Sequence, residues 1–258
     1  MAFRNGPQYP CISEGLVFLM DPPNPISWPG GTNLYNIINT SYSASAENFD
    51  AGTEWDNARS LGGYINLDGS NDYFEGPQGT GYGGNLNGLT SFTLQAWCRA
   101  ESVGGTDNIV GNWISDPNRS WQLRRSGTTL QGFITTDGGY TGAGDGSTDS
   151  SIQWDKTSAF SINTWYCVTF YLDGTTSPAG VGGNISSTSF GAFEKYTWNY
   201  SGTMSPKDLD KFAIGSGNSD GASNVWAGDL GTICIYNRAL SEAEMERNYN
   251  QLKGRYGL

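Results

Sequence analysis

Residues 226–246 read WAGDLGTICIYNRALSEAEME, and this stretch decides the fold class. Residues 230–236 are apolar enough to form a strand, and a turn follows. Ser241 and Glu244 have the spacing of a capping box, in which each side chain binds the backbone N–H of the other residue. Four apolar residues then follow at spacings of four, three and four, on one helix face: Met245, Tyr249, Leu252 and Tyr256. The stretch therefore predicts a strand that leads into one short amphipathic helix.

The rest of the chain is rich in strand signals. Residues 91–99 (SFTLQAWCR) alternate between two faces, and residues 164–172 (TWYCVTFYL) are apolar on both, as in a central strand. Asp173 and Gly174 form a hairpin signal directly afterwards. Many short strands separated by turn residues predict an all-β fold, a two-sheet antiparallel jelly-roll sandwich with one short C-terminal helix. A chain of 258 residues can form such a sandwich as one domain.

Charge and residue types exclude several classes of function. The chain has 14 Lys and Arg against 25 Asp and Glu, a net charge of −11. Such an acidic protein is not expected to bind nucleic acid, which needs a basic patch. No apolar run reaches the length of a membrane span, so we expect no membrane partner. Histidine is absent, which excludes Ser-His-Asp and Cys-His mechanisms and histidine-based zinc sites.

The four cysteines are Cys11, Cys98, Cys167 and Cys234, spaced too widely for a metal knuckle. Three of them lie in predicted strands, where a reduced cysteine behaves as a small apolar residue. Their even number leaves two disulfides open as an alternative. The N-terminus lacks the apolar core of a signal peptide, which predicts synthesis in a reducing cytoplasm. Later residence on an extracellular particle stays open.

Five blocks of sequence follow one another in the order of a known family. They are residues 64–73 (YINLDGSNDY), 91–97 (SFTLQAW), 164–174 (TWYCVTFYLDG), 212–215 (FAIG) and 226–246. Each block alone is weak, but together they resemble laminin-G-like (concanavalin A-like lectin/glucanase) domains. The resemblance implies a concanavalin A-like jelly roll. It also implies an N-terminal arm over residues 1–14 and a single laminin-G-like domain over residues 15–258.

The two ends of the chain carry a narrower resemblance. The segments are residues 5–7 (NGP), 15–21 (GLVFLMD), 24–30 (NPISWPG), 237–240 (NRAL), 248–250 (NYN) and 253–258 (KGRYGL). They resemble the openings and endings of stand-alone virion proteins of tailed bacteriophages. Those proteins are capsid decorations, or tail-fibre and adhesin heads. The resemblance implies a non-enzymatic virion structural protein made in the host cytoplasm.

Among virion roles we favour capsid decoration, because the chain is short and has no pattern for a fibre shaft. Its expected partners are other capsid or tail proteins and further copies of itself on the particle. The alternative is a carbohydrate-binding adhesin or fibre head, whose partners would be host surface glycans.

A calcium site is implied by the pentraxins, which are calcium-binding relatives of this fold. By order along the chain, their ligand positions correspond to Asp116, Asn118, Asn218 and Asp220. Calcium takes oxygen ligands of these types, so it is the candidate cofactor. Pro117 separates the first pair, and Asn218 stands where an acid is expected. The alternative is that these residues only form turns.

Aromatic residues in or near predicted loops are candidates for stacking on a sugar. The sugar-binding candidates are Trp113, Trp121 and Tyr140. Trp198 and Tyr200 also lie in or near predicted loops. The alternative is that a sandwich with nine tryptophans buries most of them. Glycoside hydrolases of this fold carry Glu-x-Asp-x-x-Glu or Glu-x-Asp-x-Glu on one strand, and the chain has neither pattern. Since such hydrolysis needs paired carboxylates, we expect no catalytic residues and no enzymatic activity.

Overall fold

The computed structural model describes residues 10–29, 32–49, 63–76, 88–114, 117–140, 150–157, 160–199, 203–205, 212–217 and 222–258. These residues form fifteen strands, one α-helix and a closing 3-10 turn. In chain order the strands are β1 (Leu16–Met20), β2 (Asn33–Tyr35), β3 (Ser43–Glu47), β4 (Ile65–Asp68), β5 (Tyr73–Glu75), β6 (Ser91–Ala100), β7 (Thr106–Trp113), β8 (Arg119–Ser126), β9 (Thr129–Thr135), β10 (Ser151–Lys156), β11 (Trp165–Asp173), β12 (Ala179–Ser186), β13 (Glu194–Trp198), β14 (Ala213–Ile214) and β15 (Ala227–Tyr236). The helix α1 spans Glu242–Leu252, and the turn spans Lys253–Tyr256.

The strands form two antiparallel sheets. The first sheet has the order β1-β15-β6-β11-β12-β13, with β4 also paired to β15. The second has the order β10-β9-β8-β7-β14-β5-β3-β2. Strands far apart in sequence are neighbours in both sheets, as in a jelly roll. The expected all-β, two-sheet sandwich with one C-terminal helix is confirmed.

The core lies between the two sheets and follows the alternation of β6. Phe92, Leu94 and Ala96 point inward and are buried, whereas Trp97 points to the other face. Gly132 on β9 admits the ring of Phe170 from the opposite sheet, because a Cβ at Gly132 would lie 2.3 Å from that ring. The sheets therefore meet closely at this point, and only glycine fits there.

Helix α1 covers the outer face of the first sheet. The predicted capping box is present, with Glu244 N–H donating to the Ser241 hydroxyl and Ser241 N–H donating to the Glu244 carboxylate. Met245, Tyr249 and Leu252 are buried against the sheet, as the helix pattern predicted. Burial of each such side chain is worth about 1.5–3 kcal/mol. Trp97 lies beneath the helix, stacked on Tyr249 with ring centroids 5.7 Å apart.

The segment before β1 lies against the same helix. The backbone N–H of Ile12 donates to Asn248 Oδ1 at 2.8 Å. Asp21, which is buried, accepts from Arg255 Nη1 at 2.8 Å. The residues on either side of β1 are therefore bound to the C-terminal segment, while β1 itself is the edge strand of the first sheet.

Strands β2, β3, β12 and β13 occupy segments that the sequence left without a predicted element. Their residues are mostly small or polar, as in SASAE of β3 and AGVGGNIS of β12. Pairing with neighbours defines these strands: β12 runs antiparallel to β11 over seven residue pairs. In the part of the chain that the structure describes, no helix has the length and apolar character of a membrane span.

Candidate functional site

The outer face of the second sheet carries a group of polar and aromatic side chains from β7 to β10. The alternation of β8 places these side chains on the outer face. Trp121 and Leu123 point into the core, whereas Arg124 on the same strand points outward. On β10, Ile152 and Trp154 enter the core in the same way. We call the outward group the Trp113 patch: Trp113, Arg119, Arg124, Gln131, Phe133, Tyr140, Gln153 and Asp155.

Three rings form the aromatic half of the Trp113 patch. Trp113 at the end of β7 lies 5.4 Å from Phe133 and 5.6 Å from Tyr140, between ring centroids. Phe133 and Tyr140 lie 5.6 Å apart, edge to face. Phe133 is only 1% exposed, whereas Trp113 and Tyr140 are partly exposed. Phe133 therefore serves as the floor, and the other two rings present surface to solvent.

A line of hydrogen bonds forms the polar half. The Tyr140 hydroxyl donates to Gln153 Oε1 at 2.7 Å, and Gln153 Nε2 donates to both carboxylate oxygens of Asp155 at 2.8 and 2.9 Å. Gln131 Nε2 donates to Asp155 Oδ1, and Arg124 Nε donates to Gln131 Oε1, both at 3.0 Å. Each amide is thus held in one orientation by a partner on each side.

Two guanidinium groups lie over the rings. The central carbon of Arg119 is 5.4 Å from the Trp113 centroid, and that of Arg124 is 4.3 Å from the Phe133 centroid. Burial lowers the pKa of Arg124, while nearby Tyr140 and Asp155 act in the opposite direction. Burial likewise raises the pKa of the Tyr140 hydroxyl. Among the described residues, no partner binds the terminal nitrogens of Arg124.

The structure brings together two of the three predicted sugar-binding residues. Trp113 and Tyr140 are neighbours in the Trp113 patch. Trp121 is a correction: its side chain is 1% exposed, because it alternates inward and lies 6.1 Å from Phe92 in the core. Trp198, also considered from the sequence, is buried to the same degree. Neither of these two tryptophan rings can stack on a ligand at the surface, and Tyr200 lies outside the described residues.

The predicted calcium ligands stay untested. Asp116, Asn218 and Asp220 lie outside the described residues, and Asn118 is partly buried just before β8. Across the described ranges, no three acidic, cysteine or histidine residues cluster as a metal site.

Sequence reasoning missed Arg124, Gln131, Gln153 and Asp155. A signal was available in β10, where SIQWDK alternates polar with apolar residues. The polar members of that alternation are Gln153 and Asp155. What the pattern could not supply is the order β10-β9-β8, which places them beside Gln131 and Arg124.

Several solved structures share this fold. The "binding domain of Botulinum Neurotoxin DC in complex with SialylT" aligns with a TM-score of 0.56 at 10% identity, covering 92% of this chain and 51% of that one. The "Ruminococcus gnavus IT-sialidase CBM40 bound to alpha2,3 sialyllactose" gives 0.50 at 14% identity, covering 70% and 92%. The "Trypanosoma rangeli sialidase in complex with sialic acid" gives 0.55 at 14% identity, covering 93% and 33%. At these identities the likeness shows the fold.

The chain spans about half the length of the toxin binding domain. No curated protein sequence matches it. Residues 68–246 match the sequence profile of the family described as the concanavalin A-like lectin/glucanases superfamily. With that match over most of its length, and with the jelly-roll sandwich that the family resemblance implied, the chain belongs to the concanavalin A-like lectin/glucanases superfamily.

Proposed function

We propose that the protein is a non-catalytic carbohydrate-binding module and that the Trp113 patch is its sugar site. One observation carries the proposal: two partly exposed rings lie beside a line of fixed amides and a carboxylate on an open sheet face. Trp113 and Tyr140 supply the apolar surface, and Gln153 with Asp155 supplies hydrogen-bonding groups next to it.

The chemistry of the patch matches that of a sugar. A pyranose has faces of C–H groups, which suit aromatic rings, and a rim of hydroxyls, which both donate and accept hydrogen bonds. Ligand sites generally combine apolar walls with a few polar groups that fix orientation. Gln131 and Gln153 are already oriented by Asp155, so little side-chain entropy is lost on binding.

Arg124 suggests the class of sugar. Its terminal nitrogens have no partner among the described residues, although the side chain is partly buried. A guanidinium binds a carboxylate through two parallel hydrogen bonds. The proposal therefore includes a preference for acidic glycans. Two proteins of similar fold have been solved with sialyllactose or sialic acid, which are acidic sugars.

A binding role without catalysis is part of the proposal. Glycoside hydrolysis by paired carboxylates places two of them on either side of the scissile bond, about 5–9 Å apart. Asp155 is the sole carboxylate of the Trp113 patch in the described ranges, and two glutamines hold it in hydrogen bonds.

A glycan array probed with the purified protein, with and without EDTA, tests the proposal. We expect acidic glycans to bind above their neutral parents, and Trp113→Ala to abolish the signal. Tyr35→Ala is the matched control, because Tyr35 lies at the far edge of the same sheet. Absence of binding to every glycan in both conditions would reject the sugar site. Glycan binding that is seen without EDTA and lost when EDTA is added would support the calcium prediction.

Attachment to a virion is a second proposed role, because the sequences of the two chain ends resemble those of virion proteins of tailed bacteriophages. Residues 12–14 and the C-terminal segment form one surface at the first sheet, where Arg238 Nε donates to the Glu14 carbonyl at 3.1 Å and Ile12 contacts Asn248. This surface is on the opposite side of the sandwich from the Trp113 patch. The arrangement supports a virion surface protein that displays its sugar site, and it favours the adhesin alternative over pure decoration. Mass spectrometry of purified phage particles tests the role, since absence of the chain from them would refute it.

A further inference from the structure

The pairing of the strands limits which cysteines can meet. Cys98 on β6 points into the core, whereas Cys167 on β11 lies on the outer face beneath α1. Cys234 on β15 also faces outward, but β6 separates β15 from β11. Two strand spacings are about 9.6 Å, more than the ~7 Å between Cα atoms that a disulfide tolerates. Cys98, Cys167 and Cys234 therefore cannot pair with one another.

Cys11 and Cys234 lie in one buried cluster. Cys234 is paired across the ladder with Leu19 of β1, and Cys11 lies in the segment that leads into β1. Both belong to one buried cluster on the outer face of the first sheet, with Tyr236 and Met245. Each thiol shifts the pKa of the other, and both are free.

Cys11 is 6% exposed and is the more accessible of the two thiols, since Cys234 is 2% exposed. Cys11 lies at one side of an open groove of about 600 Å³ between residues 11–14 and helix α1, where Ala243, Arg247 and Gln251 form the other side. The interaction with Cys234 lowers the pKa of the Cys11 thiol against the opposing effect of burial, and Tyr236 adds to the lowering. A thiol of lower pKa supplies more thiolate, which is the attacking species in disulfide exchange.

We propose that Cys11 and Cys234 form a redox-active dithiol, which a small disulfide such as oxidised glutathione converts into an intramolecular disulfide. The Cys11 thiolate attacks one sulfur of the oxidant, forming a mixed disulfide and releasing the first glutathione thiolate. The Cys234 thiolate then attacks the Cys11 sulfur and releases the second. Overall, two protein thiols are oxidised to one disulfide, and one glutathione disulfide is reduced to two glutathione molecules.

The disulfide would fasten the N-terminal segment to the last strand. It closes a loop from residue 11 to residue 234, and loops of this length give the largest entropic stabilisation of the folded state. We therefore expect oxidation to raise Tm by about 5–15 °C, given about 2–4 °C per kcal/mol for chains of this size. A protein made reduced would be stabilised in this way after transfer to an oxidising environment.

The test treats the folded, full-length protein with oxidised glutathione and analyses it by mass spectrometry and thermal unfolding. We expect loss of the two thiol hydrogens, a cross-linked peptide pair containing Cys11 and Cys234, and the rise in Tm. Cys167→Ser, the matched control, should behave as wild type.

Cys11→Ser and Cys234→Ser should each lose both the cross-link and the rise in Tm. Three results would overturn the proposal: no mass change, a glutathione adduct that persists on Cys11 without cross-linking, or a cross-link that includes Cys98 or Cys167. None of these readouts depends on glycan binding, so the sugar site and the dithiol can fail separately.

Discussion

Glu244 joins the capping box to an ion pair, and its replacement by glutamine should weaken the fold in a pH-dependent way. Arg238 contacts the carboxylate with two nitrogens, at 2.9 and 2.7 Å, while the Ser241 N–H donates to it at 2.9 Å. Chiefly because of Arg238, the pKa of Glu244 falls from its ordinary 4.5 to about 2. We therefore expect Glu244→Gln to reduce the free energy of unfolding at neutral pH.

The magnitude follows from that pKa. At about 1.4 kcal/mol for each tenfold change in proton affinity, the lowered pKa bounds the contribution at about 3 kcal/mol. The Glu244 side chain is 29% exposed, so solvent screening reduces the expected loss to about 1–2 kcal/mol. Because the folded-state pKa is depressed, this stability is fully present above pH 4.5 and is lost as pH falls towards 2.

Urea unfolding of the wild type and the variant at several pH values between 7 and 2 measures this difference. Titration of the other carboxylates changes the free energy of unfolding of both proteins equally, so it cancels in the difference between them. Glu242→Gln is the matched control, because Glu242 is in the same helical turn but makes a weak ion pair. Its side chain is 58% exposed, and its carboxylate lies 3.8 Å from Lys195 Nζ. A difference between wild type and Glu244→Gln that stays constant down to pH 2 would refute the reasoning.

Two further predictions concern the core. Gly132→Ala should lower stability by about 1–3 kcal/mol, since its Cβ would lie 2.3 Å from the Phe170 ring, whereas Gly104→Ala should be neutral because nothing lies within 4 Å. Equal stabilities of these two variants in urea would contradict the close approach of the sheets. Asp107→Asn should cost about 3–5 kcal/mol, because it leaves the fully buried Arg125 without its ionic partner. A loss below 1 kcal/mol would contradict the need for an ionic partner at this buried charge, which also donates to the Gly127 carbonyl at 2.7 Å.

The helix and the central strands were predictable because each has a local signal. The capping spacing of Ser241 and Glu244, and the apolar face from Met245 to Leu252, need no knowledge of the rest of the chain. Strand β6 is defined by its own alternation. Strands β3 and β12 could not be predicted, because their small and polar residues take extended form only beside a paired neighbour.

The candidate site was only half predictable. Trp113 and Tyr140 were selected by residue type and loop position, but the same criterion selected Trp121, which the alternation with Leu123 places in the core. Gln131 and Asp155 are 24 residues apart in sequence and meet only because β9 pairs with β10. Residue type therefore indicates candidate rings, and topology decides which of them share a site.

The most direct test of the sugar site is the equilibrium affinity of wild type and Trp113→Ala for the best glycan from the array, measured by calorimetry. Loss of a central aromatic contact costs about 2 kcal/mol, which corresponds to a roughly 30-fold rise in Kd. We expect that rise for Trp113→Ala and an unchanged Kd for Tyr35→Ala. An unchanged Kd for a correctly folded Trp113→Ala protein would contradict the assignment of the Trp113 patch as the sugar site.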